Sequence, residues 1–216
     1  MNQNLLEPTA LFRFEITLQR ADLKWTRKGL ELPERYRIPF FSVLAGGQGF
    51  ADLRVAWSEQ GIGFWLGIAG KRQMPWCRDT RMDESDGLHL WFDTRNSPNI
   101  HRATKFCHRF LFLPSGGGTR RDKPVAALVP INRARENPRA IPKDALLVHP
   151  APRHDGYQLS GLIPAKTLTG YDPAEQSRIG FYCAVADREL GTQTVSLSET
   201  FPFAEDPSMW VEAQLG

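Results

Sequence analysis

Apolar residues recur at every second position through short segments spread along nearly the whole chain, and this period constrains the fold most. A period of two places alternate side chains on opposite faces of a strand, whereas an amphipathic helix needs 3.6. The pattern runs through "LFRFEITL" (Leu11–Leu18), "DLRVAW" (Asp52–Trp57), "GIGFWLGIA" (Gly61–Ala69), "GLHLWFD" (Gly87–Asp93) and "KFCHRFLFL" (Lys105–Leu113). It continues in "VAALVPI" (Val125–Ile131), "ALLVHP" (Ala145–Pro150), "GYQLSGLIP" (Gly156–Pro164), "RIGFYCAVAD" (Arg178–Asp187), "TVSLS" (Thr194–Ser198) and "WVEAQL" (Trp210–Leu215). Turn residues separate most of these segments, and 16 prolines and 18 glycines supply the punctuation. One helical turn is expected, after Pro164 in "PAKTL". No strand–helix units repeat, which argues against a doubly wound sheet. The pattern predicts an all-β chain of about eleven strands with little helix. An antiparallel two-sheet β-sandwich is the natural way to bury one face of each sheet.

At 216 residues the chain suits a single domain spanning 1–216, with no internal repeat and no low-complexity tract. The formal charge of +3 is spread without a basic block, which argues against a nucleic-acid partner. No apolar run approaches the length of about 20 residues needed to cross a bilayer, so no membrane partner is expected. The N-terminal "MNQNLLEPTALFRFEI" lacks a basic and then apolar leader pattern. Three cysteines, Cys77, Cys107 and Cys183, leave at least one thiol unpaired. Together these features predict a cytoplasmic protein, or an extracellular one if a leader lies outside this sequence.

Within "ESDGLHLWFDTRN" (Glu84–Asn96), Leu88, Leu90 and Phe92 share one face, and His89, Trp91 and Asp93 share the other. A histidine and a tryptophan are unusual on a solvent face. Trp76 and Trp91 sit beside polar residues such as Arg78, His89 and Asp93. Aromatic rings beside such groups suit a polyhydroxylated ligand, because sugar C–H faces pack on rings while hydroxyls need polar partners. Trp57 and Trp65 flank a hairpin and read as core. Asp79, Asp83 and Asp86, with Glu84, form an oxygen-rich cluster that is a candidate for calcium. Cys107 and His108 fall on opposite strand faces and do not share one transition-metal ion. Ser85, His89 and Asp93 lack the surroundings of a hydrolytic triad, and Gly116–Gly118 lacks the Lys-Ser/Thr of a phosphate loop, so no catalytic residues are assigned.

The order of "LRVAWSEQGIGFWLGIAG", "ESDGLHLWFDTRN", "GYQLSGLIPAKTL", "RIGFYCAVAD" and "FAEDPSMWVEAQL" resembles the family 9 carbohydrate-binding modules and the wider DOMON-like group, over residues 40 to 216. The resemblance implies a jelly-roll-like sandwich that binds carbohydrate without catalysis. It also implies two tryptophans clamping a sugar, at places held here by Asp83 and Ala204. A carboxylate and an amide of the family's site fall at His89 and Ala184, and its basic residue at His108 or Arg109. The expected ligand set is therefore Trp76, Arg78, His89, Trp91, His108 and Arg109, with Trp76 replacing one clamp ring. Two alternatives accompany this reading. One is a haem- or small-molecule-binding DOMON-type domain with His89, His108 or Met82 as axial ligand. The other is a β-sandwich whose aromatic face docks a protein.

Overall fold

The computed structural model describes residues 14–46, 49–97, 99–196 and 202–216. Among the described residues eleven strands run in chain order: β1 (Glu15–Arg20), β2 (Ala51–Ser58), β3 (Gly61–Ala69), β4 (Gly87–Asp93), β5 (Cys107–Gly117), β6 (Lys123–Val129), β7 (Leu147–Arg153), β8 (Gly156–Pro164), β9 (Arg178–Asp187), β10 (Gly191–Thr194) and β11 (Val211–Leu215). Helix among the described residues is confined to short 3-10 turns, including the expected one at Ala165–Thr167. The predicted strand Thr194–Ser198 is displaced toward Gly191–Thr194, and Leu197 and Ser198 lie outside the described residues, as does Phe12.

The strands follow one hydrogen-bonded path, β6-β5-β4-β9-β11-β1-β2-β3-β8-β7, with β10 also on β9. The pairing is antiparallel except at β1. Residues Glu15–Leu18 run parallel to β11, and Gln19 and Arg20 run parallel to Ala56 and Trp57 of β2. A strand that joins both halves corrects the expectation of two separate antiparallel sheets. The ends of the path, β6 and β7, also approach each other, so the assembly is nearly barrel-shaped.

Between the two halves Leu88, Leu90 and Phe92 of β4, Phe110 and Phe112 of β5, and Phe181, Cys183 and Val185 of β9 meet Leu53, Phe64, Leu66, Ile68 and Leu159. Phe64 meets Phe112 edge-on at 4.6 Å between centroids. Phe-, Leu- and Ile-rich layers of this kind supply most of the stabilisation, about 1.5–3 kcal/mol for each fully buried large side chain.

A second, smaller cluster forms where residues 21–38 cross the outer face of the β2–β3–β8 half. Leu23, Leu30, Leu32 and Tyr36 pack there with Ala56. The crossing depends on Gly29, in the left-handed region at φ +82°, because a Cβ there would lie 2.1 Å from the Ser160 hydroxyl.

Candidate functional site

Strand β4 is buried along its whole length, on both faces. The alternation predicts one core face and one ligand face, yet the face bearing His89 and Trp91 is also covered. His89 is 6% exposed and Trp91 1%. Register explains the neighbours. Trp91 lies opposite Arg109 of β5 and Tyr182 of β9, and His89 lies opposite Leu111 and Ala184. Trp91 is edge-on to Tyr182 at 5.8 Å and to Phe203 at 5.5 Å, and Tyr182 stacks on Phe203 at 4.3 Å. The Arg109 guanidinium lies 5.1 Å from the Trp91 ring centre and donates to Asp83 at the rim.

Polar atoms in this cluster are short of partners. Arg109 places a terminal nitrogen 3.4 Å from His89 Nδ1. A guanidinium can only donate, so Nδ1 is the acceptor and the histidine proton sits on Nε2. Burial, reinforced by the charge of Arg109 and opposed by Asp83, pushes His89 down to about 4, so the ring is neutral at pH 7. His89 Nε2, Trp91 Nε1 and Arg109 Nε are buried and have no hydrogen-bond partner among the described residues. An unsatisfied buried donor costs about 1–3 kcal/mol, so three in one cluster mark a place where acceptor atoms are wanted.

Arg109, and not His108, belongs to this face. His108 points into the core between the halves, beside Phe110 and fully buried. Its Nδ1 lies 3.0 Å from the Phe106 carbonyl and its Nε2 accepts from Thr169 N at 2.9 Å. With both nitrogens engaged it pins two loops together, and burial pushes it too down to about 4. Of the three axial candidates, His89 keeps a ring nitrogen with no partner among the described residues, and Met82 is half-buried on the rim turn Met82–Glu84.

Trp76 lies half-buried on the loop leading to β4, among three guanidiniums: Arg188 at 4.0 Å, Arg78 at 5.1 Å and Arg81 at 5.7 Å from its ring centre. The loop is fastened from below. Lys71 is buried and its ammonium lies 3.0 Å from Asp86 and 2.8 Å from Asp187. Asp86 also accepts from the backbone N–H groups of Trp76 and Arg188, and Ser85 accepts from Arg78 N.

The three carboxylates expected to hold calcium therefore diverge. Asp86 is held by Lys71 inside the protein, Asp83 pairs with Arg109, and Asp79 is exposed. Among the described residues no three His, Cys, Asp or Glu side chains converge in a metal-holding group. Ser85 and Asp93 are each occupied by backbone, Asp93 by the N–H groups of Arg95 and Ser97. The three thiols are buried, and burial pushes Cys107 up to about 12, so none is a poised nucleophile.

Other participants come from outside the expected set. Tyr182 and Phe203 complete the aromatic enclosure of Trp91, and Phe203 directly precedes Ala204, where the resemblance implies a clamp ring. The sequence does carry a signal for Tyr182, since it alternates with Phe181 and Cys183. Trp65 is half-buried and packs against the smaller outer cluster, not in the core between the halves. With Arg54 4.4 Å from its ring, it walls a groove of about 390 Å³ that includes His149, Gln158 and Ser160. Trp57 is buried as expected, and its indole donates to the Gly216 carbonyl.

This near-closed sandwich has the fold of the family 9 carbohydrate-binding modules. A family 9 module from Caldicellulosiruptor kristjanssonii in complex with cellotriose matches with a TM-score of 0.63, over 94% of this chain and 93% of its own, at 11% identity. A second structure of a family 9 module from that organism, in complex with glucose, matches with a TM-score of 0.58 over 95% and 96%, also at 11% identity. No protein-family model and no curated protein sequence matches the chain.

Proposed function

We propose that the protein is a non-catalytic carbohydrate-binding module that takes its ligand on the face formed by His89, Trp91 and Arg109, with Trp76 and Arg78 at the rim. The observation that carries this reading is the set of three buried N–H groups without acceptors among the described residues. Saccharide hydroxyl and ring oxygens supply acceptors at the needed density, and indole and phenol rings pack against sugar C–H faces. The two family 9 module structures of the same fold hold cellotriose and glucose, which supports carbohydrate as the ligand class. Asp83 is exposed, so the rim can open without unfolding the sheet.

The test is a thermal-shift panel of mono- and oligosaccharides, run with and without calcium. A saccharide at 100 times its Kd adds about 2.7 kcal/mol, which for a chain of this size raises Tm by about 5–10 °C. Trp91→Phe keeps a ring but removes the N–H, and Trp76→Ala removes the rim ring. Both are expected to fold and to lose most of the shift, whereas Trp65→Ala keeps it. A shift abolished by Trp65→Ala alone moves the site to the other groove, and no shift with any saccharide refutes the reading.

A further inference from the structure

The half-used guanidinium of Arg109 carries the ligand assignment one step further. Arg109 presents a planar edge of Nε–H and a terminal N–H, the geometry that a carboxylate matches with both oxygens. Here the two donors are treated differently. A terminal nitrogen holds Asp83, while Nε is buried with no acceptor among the described residues. The carboxylate already in place is 70% exposed and belongs to a one-turn 3-10 element, Met82–Glu84. The guanidinium side chain is only 14% exposed. A largely enclosed cation is thus matched to an exposed rim carboxylate that meets half of its fork. His89 adds no charge, because it is neutral, and Trp91 only donates. The cluster therefore offers one cation and several donors, and its own ring acceptor, His89 Nδ1, is already taken by Arg109.

We propose that the ligand of this face is an acidic saccharide, whose carboxylate takes the Arg109 fork from Asp83 while neighbouring hydroxyl or ring oxygens accept from Trp91 and His89. The assignment rests on the carbohydrate reading above and specifies its substrate class. A carboxylate suits the cluster better than a hydroxyl because it is acceptor-only and brings no donor that would itself need a partner. Asp83 acts as an intramolecular stand-in for the ligand's carboxylate. It keeps Arg109 from being an unpaired enclosed charge, and it competes with the ligand.

This competition makes a prediction of opposite sign at the two partners. Titration calorimetry with trigalacturonate and with neutral galactotriose is the experiment. Trigalacturonate is expected to bind more tightly than galactotriose. Asp83→Asn is expected to raise trigalacturonate affinity about fivefold, the worth of an exposed ion pair, and to leave galactotriose little changed. Arg109→Gln is expected to lower trigalacturonate affinity on the order of a hundredfold. Arg109→Lys, which keeps the charge and loses the fork, recovers part of that loss. Equal affinity for the two trioses, or indifference of trigalacturonate to Asp83→Asn and both Arg109 variants, overturns the acidic assignment and leaves the carbohydrate reading standing. Binding of neither triose to the folded wild type and folded Asp83→Asn overturns the acidic assignment, and a saccharide panel that is flat throughout takes the carbohydrate reading with it.

Discussion

Acidification from pH 6.5 to 4 is expected to remove about 6 kcal/mol of stability, most of it above the range in which ordinary carboxylates titrate. His89 and His108 are both held neutral by burial, each at about 4 in the folded chain against an ordinary value near 6.5. Below pH 6.5 the unfolded chain binds protons that the folded chain refuses, so stability falls with pH. It is complete above 6.5 and is lost progressively down to about 4. Each pH unit between the folded and unfolded values is worth about 1.4 kcal/mol, so each histidine withdraws about 3 kcal/mol over this window. Domains are typically stable by about 5–15 kcal/mol, so the loss is a large share of the total. Asp93 works in the other direction, since burial raises its carboxyl and its protonation favours the folded chain, which softens the fall at its acid end. Asp52 and Asp206 are held below the ordinary carboxylate range, in spite of burial, by Arg54 and Arg37 and by Ser208 and His101. Their contribution is lost only below pH 4, outside the window. Urea denaturation at half-unit pH intervals checks this. The midpoint is expected to fall steeply below pH 6.5, with about half the slope in His108→Gln. A midpoint flat between 6.5 and 4.5 contradicts the account.

Lys71→Met is expected to cost about 3–5 kcal/mol, or roughly 10 °C in Tm. The substitution leaves Asp86 and Asp187 buried beside each other with no cation between them. Their side chains are 1% and 0% exposed, so water cannot take over. Pairing with Asp187 and Asp86 outweighs burial and raises the Lys71 ammonium above its ordinary value. Its contribution is therefore complete below about pH 10.4 and is lost as the pH rises beyond it. Adding Asp187→Asn to Lys71→Met is expected to recover part of the loss, because one uncompensated charge then remains instead of two. Asp86 also fixes the backbone of Trp76 and Arg188, so the same variant loosens the rim of the site. Melting of Lys71→Met within about 1 °C of wild type would show that the buried cation is dispensable.

Strands β3, β4, β8 and β9 lie on the residues their alternation predicts, because each begins or ends at a glycine, proline or charged residue that breaks the pattern. The same alternation places the strand around Thr194 too late. Val195 is buried and apolar, like a strand residue, yet the ladder stops at Thr194 and Val195 only donates its N–H to Cys183 O. Nothing local to Glu15–Arg20 marks it as the strand that runs parallel to both neighbours and joins the halves, since that follows from where β2 and β11 end up. The site is legible in the sequence as a set of unusual residues but not as an arrangement. His89 and Trp91 stand out on any strand, whereas their enclosure depends on Phe203, more than a hundred residues away. The choice between His108 and Arg109 needs the β4–β5 register, which pairs Trp91 with Arg109. The calcium expectation turns on Asp86, whose partner Lys71 precedes the acidic cluster and carries no sign of its burial in the sequence.

The most direct test of the central claim is the indole N–H spectrum of the protein titrated with an oligosaccharide that raises its Tm. Six tryptophans give six indole signals, and single Trp→Phe variants assign them. Saturation is expected to move the Trp91 signal most and Trp76 next, with the Arg109 Nε–H shifting in parallel, as acceptors reach groups that now lack them. Movement of the Trp65 signal with Trp91 and Arg109 unchanged would contradict the account and place the ligand in the groove on the opposite half.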